Sequence, residues 1–297
     1  MEGRKYMVRI IRAGKVYEII KFPVSGNIKP RAPKSKGSLP RKQDANERAC
    51  LKRLARLINA NFRPGDLLLT LTFDEAHINL IAGDEENGER EKAGHLAKLF
   101  LSRVKRQLAK QGILPKTILV ASDMDGDTGE LVRGHAHILI TATGFTTVDG
   151  VLMVGEKVVE DIWGMGTVDN RPLWHQDDYT KLAEYLLRQV RKVPDKSKYS
   201  PSRNLAQPEL VEERIEYDAS EIKAPKNGRV LYHDEYIPGQ PQYLRYFVKS
   251  AKGPKPIAKR QNLKKKGKNG KNNIKTAQKR QNRQKRQNRG IRAGGKA

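Results

Sequence analysis

The stretch from Ala251 to Ala297 holds 18 Lys and Arg, no acid and almost nothing apolar. A segment of that composition cannot bury enough apolar surface to offset the entropy of ordering it, so any fold must be built from residues 1 to 250 and the remainder is expected to be a disordered basic tail. The whole chain carries 59 Lys and Arg against 33 Asp and Glu, a formal +26, and without the tail's 18 the balance is 41 against 33, or +8. So large an excess speaks to partners rather than to fold, and nucleic acid is the first to consider. A disordered Lys/Arg/Asn/Gln run attracts phosphates without reading bases, which leaves any sequence recognition to the folded part.

A hydrophobic fraction of 37% is enough for one sizeable core with a small appendage. The single cysteine, Cys50, excludes an internal disulfide framework and any multi-cysteine zinc or iron–sulfur site, and fits a reducing cytoplasm. No apolar run reaches the roughly 18 to 20 residues that cross a bilayer, and the opening MEGRKYMVRI lacks the apolar stretch of a secretory signal. No membrane partner is expected.

Periodicity divides the first 250 residues. Residues 1–22 read as an N-terminal β-hairpin turning at Ala13-Gly14-Lys15, and 23–40 as a basic, Pro-rich linker. Within 41–205, Leu51, Leu54, Leu57 and Ile58 recur at helical spacing. LLLTLTF from Leu67 to Phe73 is a buried strand, and Leu96, Leu99, Phe100, Val104 and Leu108 mark a second helix. TILVA (Thr117–Ala121) and HAHILIT (His135–Thr141) are strands joined through a turn-rich segment. A helix over Gly155 to Trp163, an extended piece at Gly166 to Asp169 and a helix from Asp178 to Lys192 follow. The order β-α-β-β-α-β-α predicts an α+β fold, a central antiparallel sheet with helices packed on one face. Residues 206–250 form an extension with hairpin-like strands around Pro238-Gly239, and 251–297 the tail. Tyr232, Tyr236, Tyr243 and Tyr246 in that extension alternate as residues covering a small sheet do, although they could also stack on bases.

His135-Ala136-His137 is the sharpest local signal, because residues i and i+2 of a strand share a face and can present two imidazoles to one metal. Asp123 ends the preceding strand. In an antiparallel register that pairs it with His135 or His137, its carboxylate completes a site with open positions, suited to Mg²⁺ or Mn²⁺ and a phosphate oxygen. Asp125 and Asp127 stand in the same turn as alternatives. On the last helix Tyr185 lies near the apolar face, with Arg188 at i+3 and Gln189 at i+4 on its side. A tyrosine hydroxyl becomes a useful nucleophile when a cation stabilises its phenolate or the phosphate it attacks. Tyr179, about 240° away round the helix, reads as a packing residue at the helix start.

At these residues the chain resembles the rolling-circle replication initiators of phage and plasmid type within the H-U-H endonuclease superfamily, where U is a bulky apolar residue. The resemblance covers roughly Leu67 to Leu205. LLLTLTF looks like the family's first motif strand, GHAHILI like its metal-binding strand, AEYLLRQ like its Y-x-x-K helix, and DIWGMGTVDNRPL and YSPSRNL are also similar to segments of such proteins. Three motifs in order are far more specific than one. Departures are Ala136 as a small U residue, Arg188 in place of Lys, and Asp123 in place of Glu. Tyr185 with Gln189 is similar to the Y-x-x-x-Q of single-tyrosine H-U-H transposases, which makes Gln189 a reserve ligand.

The resemblance implies an H-U-H/RRM-like core and a DNA endonuclease and strand transferase of a bacterial host cytoplasm. His135, His137 and Asp123 would hold Mg²⁺ or Mn²⁺. Tyr185 would attack a phosphodiester of single-stranded origin DNA, with Arg188 or Lys192 neutralising phosphate charge. The product is a 5′-phosphotyrosine and a free 3′-hydroxyl that primes replication, and a host helicase and polymerase are the implied further partners. Two other classes stay open: an H-U-H transposase or relaxase, and a non-enzymatic basic nucleic-acid-binding protein.

Overall fold

In a computed structural model, which describes residues 4–24, 40–82, 88–191 and 197–249, the two most continuous apolar runs are neighbouring strands at the centre of a five-stranded sheet. They are β4 (Thr117–Met124) and β5 (Leu131–Ile140), joined as the expected hairpin. On the far side of β5 lies β3 (Leu67–Leu71), then β9 (Val168–Pro172) at one edge, while β10 (Ser200–Pro201) forms the other. Every pairing is antiparallel. The expectations for residues 25–39 and for the tail beyond 249 lie outside the described residues, as does Lys192.

Helices cover both faces of this sheet, which corrects the one-face expectation. Helix α2 (Gly88–Lys110) lays Phe100, Val104 and Leu108 on one face, against Leu69, Leu71, Leu119 and Ile138, with Trp163 of the short α3 (Val159–Trp163). On the other, α1 (Pro40–Asn61) and α4 (Thr180–Arg188) pack Leu54, Ile58, Ala183 and Leu186 against Ile118, Val120 and Leu139. The sign was in the composition of the strands: Ile118, Leu119 and Val120 are all buried, and only a strand covered on both sides has no solvent face to fill with polar residues.

Two sheets differ from the sequence expectation. Strands β6 (Phe145–Val148), β7 (Val151–Val154) and β8 (Lys157–Val158) form a small antiparallel sheet, and β8 takes the start of the segment read as a helix over Gly155 to Trp163. Its signal was Asp149-Gly150, both at positive φ (48° and 83°), the turn type that suits a two-residue hairpin. The N-terminal hairpin, β1 (Tyr6–Ala13) and β2 (Val16–Pro23), does not stand apart from the extension after residue 206. With β11 (Glu209–Glu216), β12 (Gly228–His233) and β13 (Gln242–Val248) it makes a second five-stranded sheet, ordered β11-β1-β2-β13-β12. A lone two-stranded hairpin has too little face to be stable in water, and this pairing supplies the rest. Tyr17 and Tyr246 stack in its core, their ring centroids 5.4 Å apart.

The second sheet is fastened to α1 and to the start of α4. Glu18 accepts two hydrogen bonds from Arg56, at 2.9 and 2.6 Å, and Arg245 lies 3.1 Å from the carboxylate of Asp178. At the β1–β2 turn Gly14 has φ +63°, and a Cβ there would stand 2.2 Å from the Asn59 carbonyl oxygen. Gly14→Ala therefore meets both left-handed strain and a backbone clash, and should lower stability by about 2 kcal/mol or more. An unchanged urea midpoint for that variant would mean that the turn does not press on α1. Among the described residues, no helix is long and apolar enough to cross a membrane.

Candidate metal and tyrosine site

Because Ala136, Ile138 and Ile140 of β5 point into the core under α2, the alternation of the strand turns His135 and His137 towards α4. Their rings meet edge to face, centroids 4.9 Å apart. The end of α4 brings Gln189 to them: its Oε1 lies 3.0 Å from His137 Nε2 and 3.3 Å from His135 Nε2. The carboxamide orientation follows from its other end, where Gln189 Nε2 donates to the Tyr185 carbonyl at 3.4 Å.

The remaining ring nitrogens are tied back. His135 Nδ1 is 3.0 Å from the Arg133 carbonyl oxygen, an atom that can only accept, so Nδ1 carries a proton and a ring with one proton turns an Nε2 lone pair to Gln189. His137 Nδ1 is held 3.1 Å from the hydroxyl of Thr70, its cross-strand neighbour on β3. His135 Nε2 and Gln189 Oε1 thus face each other at 3.3 Å. Cis donors of an octahedral ion at about 2.1 Å lie about 3.0 Å apart, so the donor set His135, His137 and Gln189 fits a divalent metal.

Burial, reinforced by the neighbouring His135, pushes His137 down from 6.5 to about 4. The sign of the linkage follows. With its pKa depressed in the folded state, His137 contributes stability that is complete above pH 6.5 and is lost as the pH falls towards 4, because the unfolded chain takes up the proton first. Over that window the metal-free protein should lose about 3 kcal/mol through this residue. Urea unfolding in a chelator at pH 7 and at pH 4 measures it. A pH slope that persists undiminished in His137→Gln would assign the loss elsewhere.

Asp123 does not join the histidines. Among the described residues no three of His, Cys, Asp and Glu gather to hold a metal. The register pairs Val120 with His137 and Ser122 with His135, and an irregularity between Ser122 and Met124 leaves Asp123 out of step. Its buried carboxylate lies 3.3 Å from Arg191 Nε and accepts a hydrogen bond from the Arg191 backbone N–H. The amides of Asp123 and Met124 both donate to the main-chain carbonyl of Gln189, at 3.2 Å. Asp123 therefore anchors the end of α4 and so sets where Gln189 stands. Asp125, the alternative, folds its carboxylate back onto the amides of Asp127 and Thr128.

Tyr185 lies half-exposed beside this group, its ring 5.8 Å from that of His137. Arg188, one turn on, is exposed, with its Cβ facing Gly126 of the β4–β5 turn. Tyr179 is buried at the start of α4, its hydroxyl donating to the Trp174 carbonyl at 3.5 Å, and burial raises its pKa to about 12. That hydroxyl is poorly placed to attack anything. An open cleft of about 520 Å³ leads away from His135 and Gln189, between Thr72-Phe73 on one side and Met124 and Val132 on the other.

The sequence reading overlooked Thr70 and Arg133, which orient the two imidazoles. Thr70 was visible as the polar residue inside the apolar run LLLTL, while Arg133 acts through its backbone and left no side-chain signal. Compared with known protein families, with curated proteins and with solved structures, the chain gives no match, so the reading of this site rests on its own geometry.

Proposed function

We propose that the protein is a metal-dependent DNA strand transferase that nicks single-stranded DNA at a replication origin, with Tyr185 as nucleophile, as a rolling-circle initiator does. The observation that carries this reading is the convergence of His135 Nε2, His137 Nε2 and Gln189 Oε1 beside the ring of Tyr185. The third ligand in this reading is Gln189, and Asp123 is a positioning residue. The donors, two imidazoles and one amide oxygen, suit Mn²⁺ somewhat better than Mg²⁺.

When bound, the metal supplies a Lewis acid that polarises a non-bridging phosphate oxygen. The Arg133 carbonyl and the Thr70 hydroxyl hold the Nδ1 atoms of His135 and His137, so that both rings turn Nε2 to the side where the metal would be held. Tyr185, half-exposed, gives up its proton to solvent and its oxygen attacks phosphorus in line. The bond to the 3′-oxygen breaks, and the leaving oxygen takes a proton to become a 3′-hydroxyl. The new phosphotyrosine ester preserves the energy of the broken bond, so a second strand end can displace Tyr185 and be rejoined. Exposed Arg188 supplies positive charge on the same side of α4.

Incubation with single-stranded DNA and Mn²⁺, followed by denaturing electrophoresis and peptide mapping, tests the reading: a DNA adduct on the Tyr185 peptide is expected. Metal-independent, salt-sensitive binding with no adduct on any origin fragment would favour a non-enzymatic nucleic-acid-binding protein. The contact of Gln189 with both histidines favours one second reading, a transferase of the single-tyrosine transposase type. The products separate the two, primer formation at an origin in one case and joining of element ends in the other.

A further inference from the structure

On the face of the central sheet opposite the histidines, a second cleft of about 440 Å³ runs between the C-terminal half of α2 and the β8–α3 segment. Arg103, Arg106 and Lys110 line it from α2 at positions i, i+3 and i+7, a single stripe along one side of the helix. Lys157 faces them from β8. All four side chains are exposed, and among the described residues none is within ion-pair distance of a carboxylate, although Asp161 also lines the cleft. Arg103 is held in place by donating to the Ile162 carbonyl at 3.2 Å.

Four cations converging from two elements on a concavity repel one another, and the low-dielectric walls of a groove concentrate their field rather than disperse it. On a convex helix face the same charges would be solvated separately. The small sheet β6–β8, which adds nothing to the histidine site, is what brings Lys157 across. We propose that this groove is a second DNA contact, holding the sugar–phosphate backbone of a segment separate from the one at Tyr185. Its lining of four cations, one amide, Gln107, and one carboxylate, Asp161, suits a phosphate backbone above all.

The test is the salt dependence of DNA binding by the full-length chain, with fluorescent single-stranded and duplex probes in separate titrations. Each phosphate neutralised contributes about 0.7 to the slope of log K against log salt for a single strand and about 0.9 for a duplex. Arg106→Gln, Lys110→Gln and Lys157→Gln together should flatten the slope by about 2 if the groove holds a single strand or about 3 if it holds a duplex, and melt within a few degrees of the parent. A control that removes the same charge elsewhere, Arg63→Gln, Lys223→Gln and Lys226→Gln, should leave the slope unchanged. The proposal is overturned if neither probe registers the groove variant, or if the control flattens the slope equally. Adduct formation on a short oligonucleotide that reaches only Tyr185 should survive the groove changes. A flattened slope without any adduct would keep the groove and discard the nicking chemistry.

Discussion

Replacing Tyr185 with phenylalanine is expected to abolish the covalent DNA adduct while leaving DNA and Mn²⁺ affinity within a few-fold of the parent, because only the attacking oxygen is removed. His137→Ala should lower the rate of adduct formation on the order of 10³-fold or more, as losses of groups that stabilise charge in the transition state do. The discriminating comparison is between Gln189→Ala and Asp123→Asn, read by calorimetric titration with Mn²⁺. If Gln189 Oε1 is the third donor, its loss should weaken Mn²⁺ binding at least 10-fold, whereas Asp123→Asn should shift it by less. Asp123→Asn should instead reduce stability, by removing the buried carboxylate charge that faces Arg191. The reverse ranking of the two affinities would restore the carboxylate to the site and remove Gln189 from it. Tyr179→Phe should change neither rate nor metal affinity, and loss of the adduct in that variant would move the nucleophile to the start of α4.

The largest stability loss is expected at Trp163. Its ring is fully buried between Phe73 and Phe100, in edge-on contacts with centroids 5.1 and 5.8 Å away, and its indole N–H donates to the Thr72 carbonyl at 2.8 Å. Trp163→Ala should cost about 3–5 kcal/mol through the lost contacts and the cavity left behind. Trp163→Phe keeps most of the volume and orphans one carbonyl, for about 1–3 kcal/mol. Thr72 and Phe73 form one wall of the cleft beside His135, so the alanine variant should also raise KM for DNA among molecules that remain folded. Chemical denaturation gives the first quantity, and adduct formation at varied oligonucleotide concentration the second. A loss below about 1 kcal/mol for Trp163→Ala would show that the core under α2 closes over the gap.

What could be read from the sequence was local. Two histidines at i and i+2 of a strand must share a face, Tyr185 and Gln189 one turn apart on a helix must lie on the same side, and a run such as TILVA must be a buried strand; chain geometry alone decides these relations. The third donor was a matter of tertiary structure. The regular register put Ser122 opposite His135, so Asp123 falls beyond the histidine pair with its carboxylate on Arg191, and nothing in the residues 117–140 announces that register. Gln189 reached the imidazoles only because α4 packs on the strand face that carries them.

The same division holds for the fold. Continuous apolar strands signalled burial, but whether helices covered one face or two depended on the packing of α1 and α4 opposite α2. Hairpins at both ends of the described chain were legible from their alternation and turns. Their union in one sheet was not, because the pairing of β1 with β11 and of β2 with β13 joins residues about two hundred positions apart, and no local periodicity encodes a contact at that range. Composition and spacing thus determined which residue types this protein sets on which strand and helix faces. The sheet register and the docking of α4 decided which of them meet, since both are settled by burial summed over the whole core and not by any one segment.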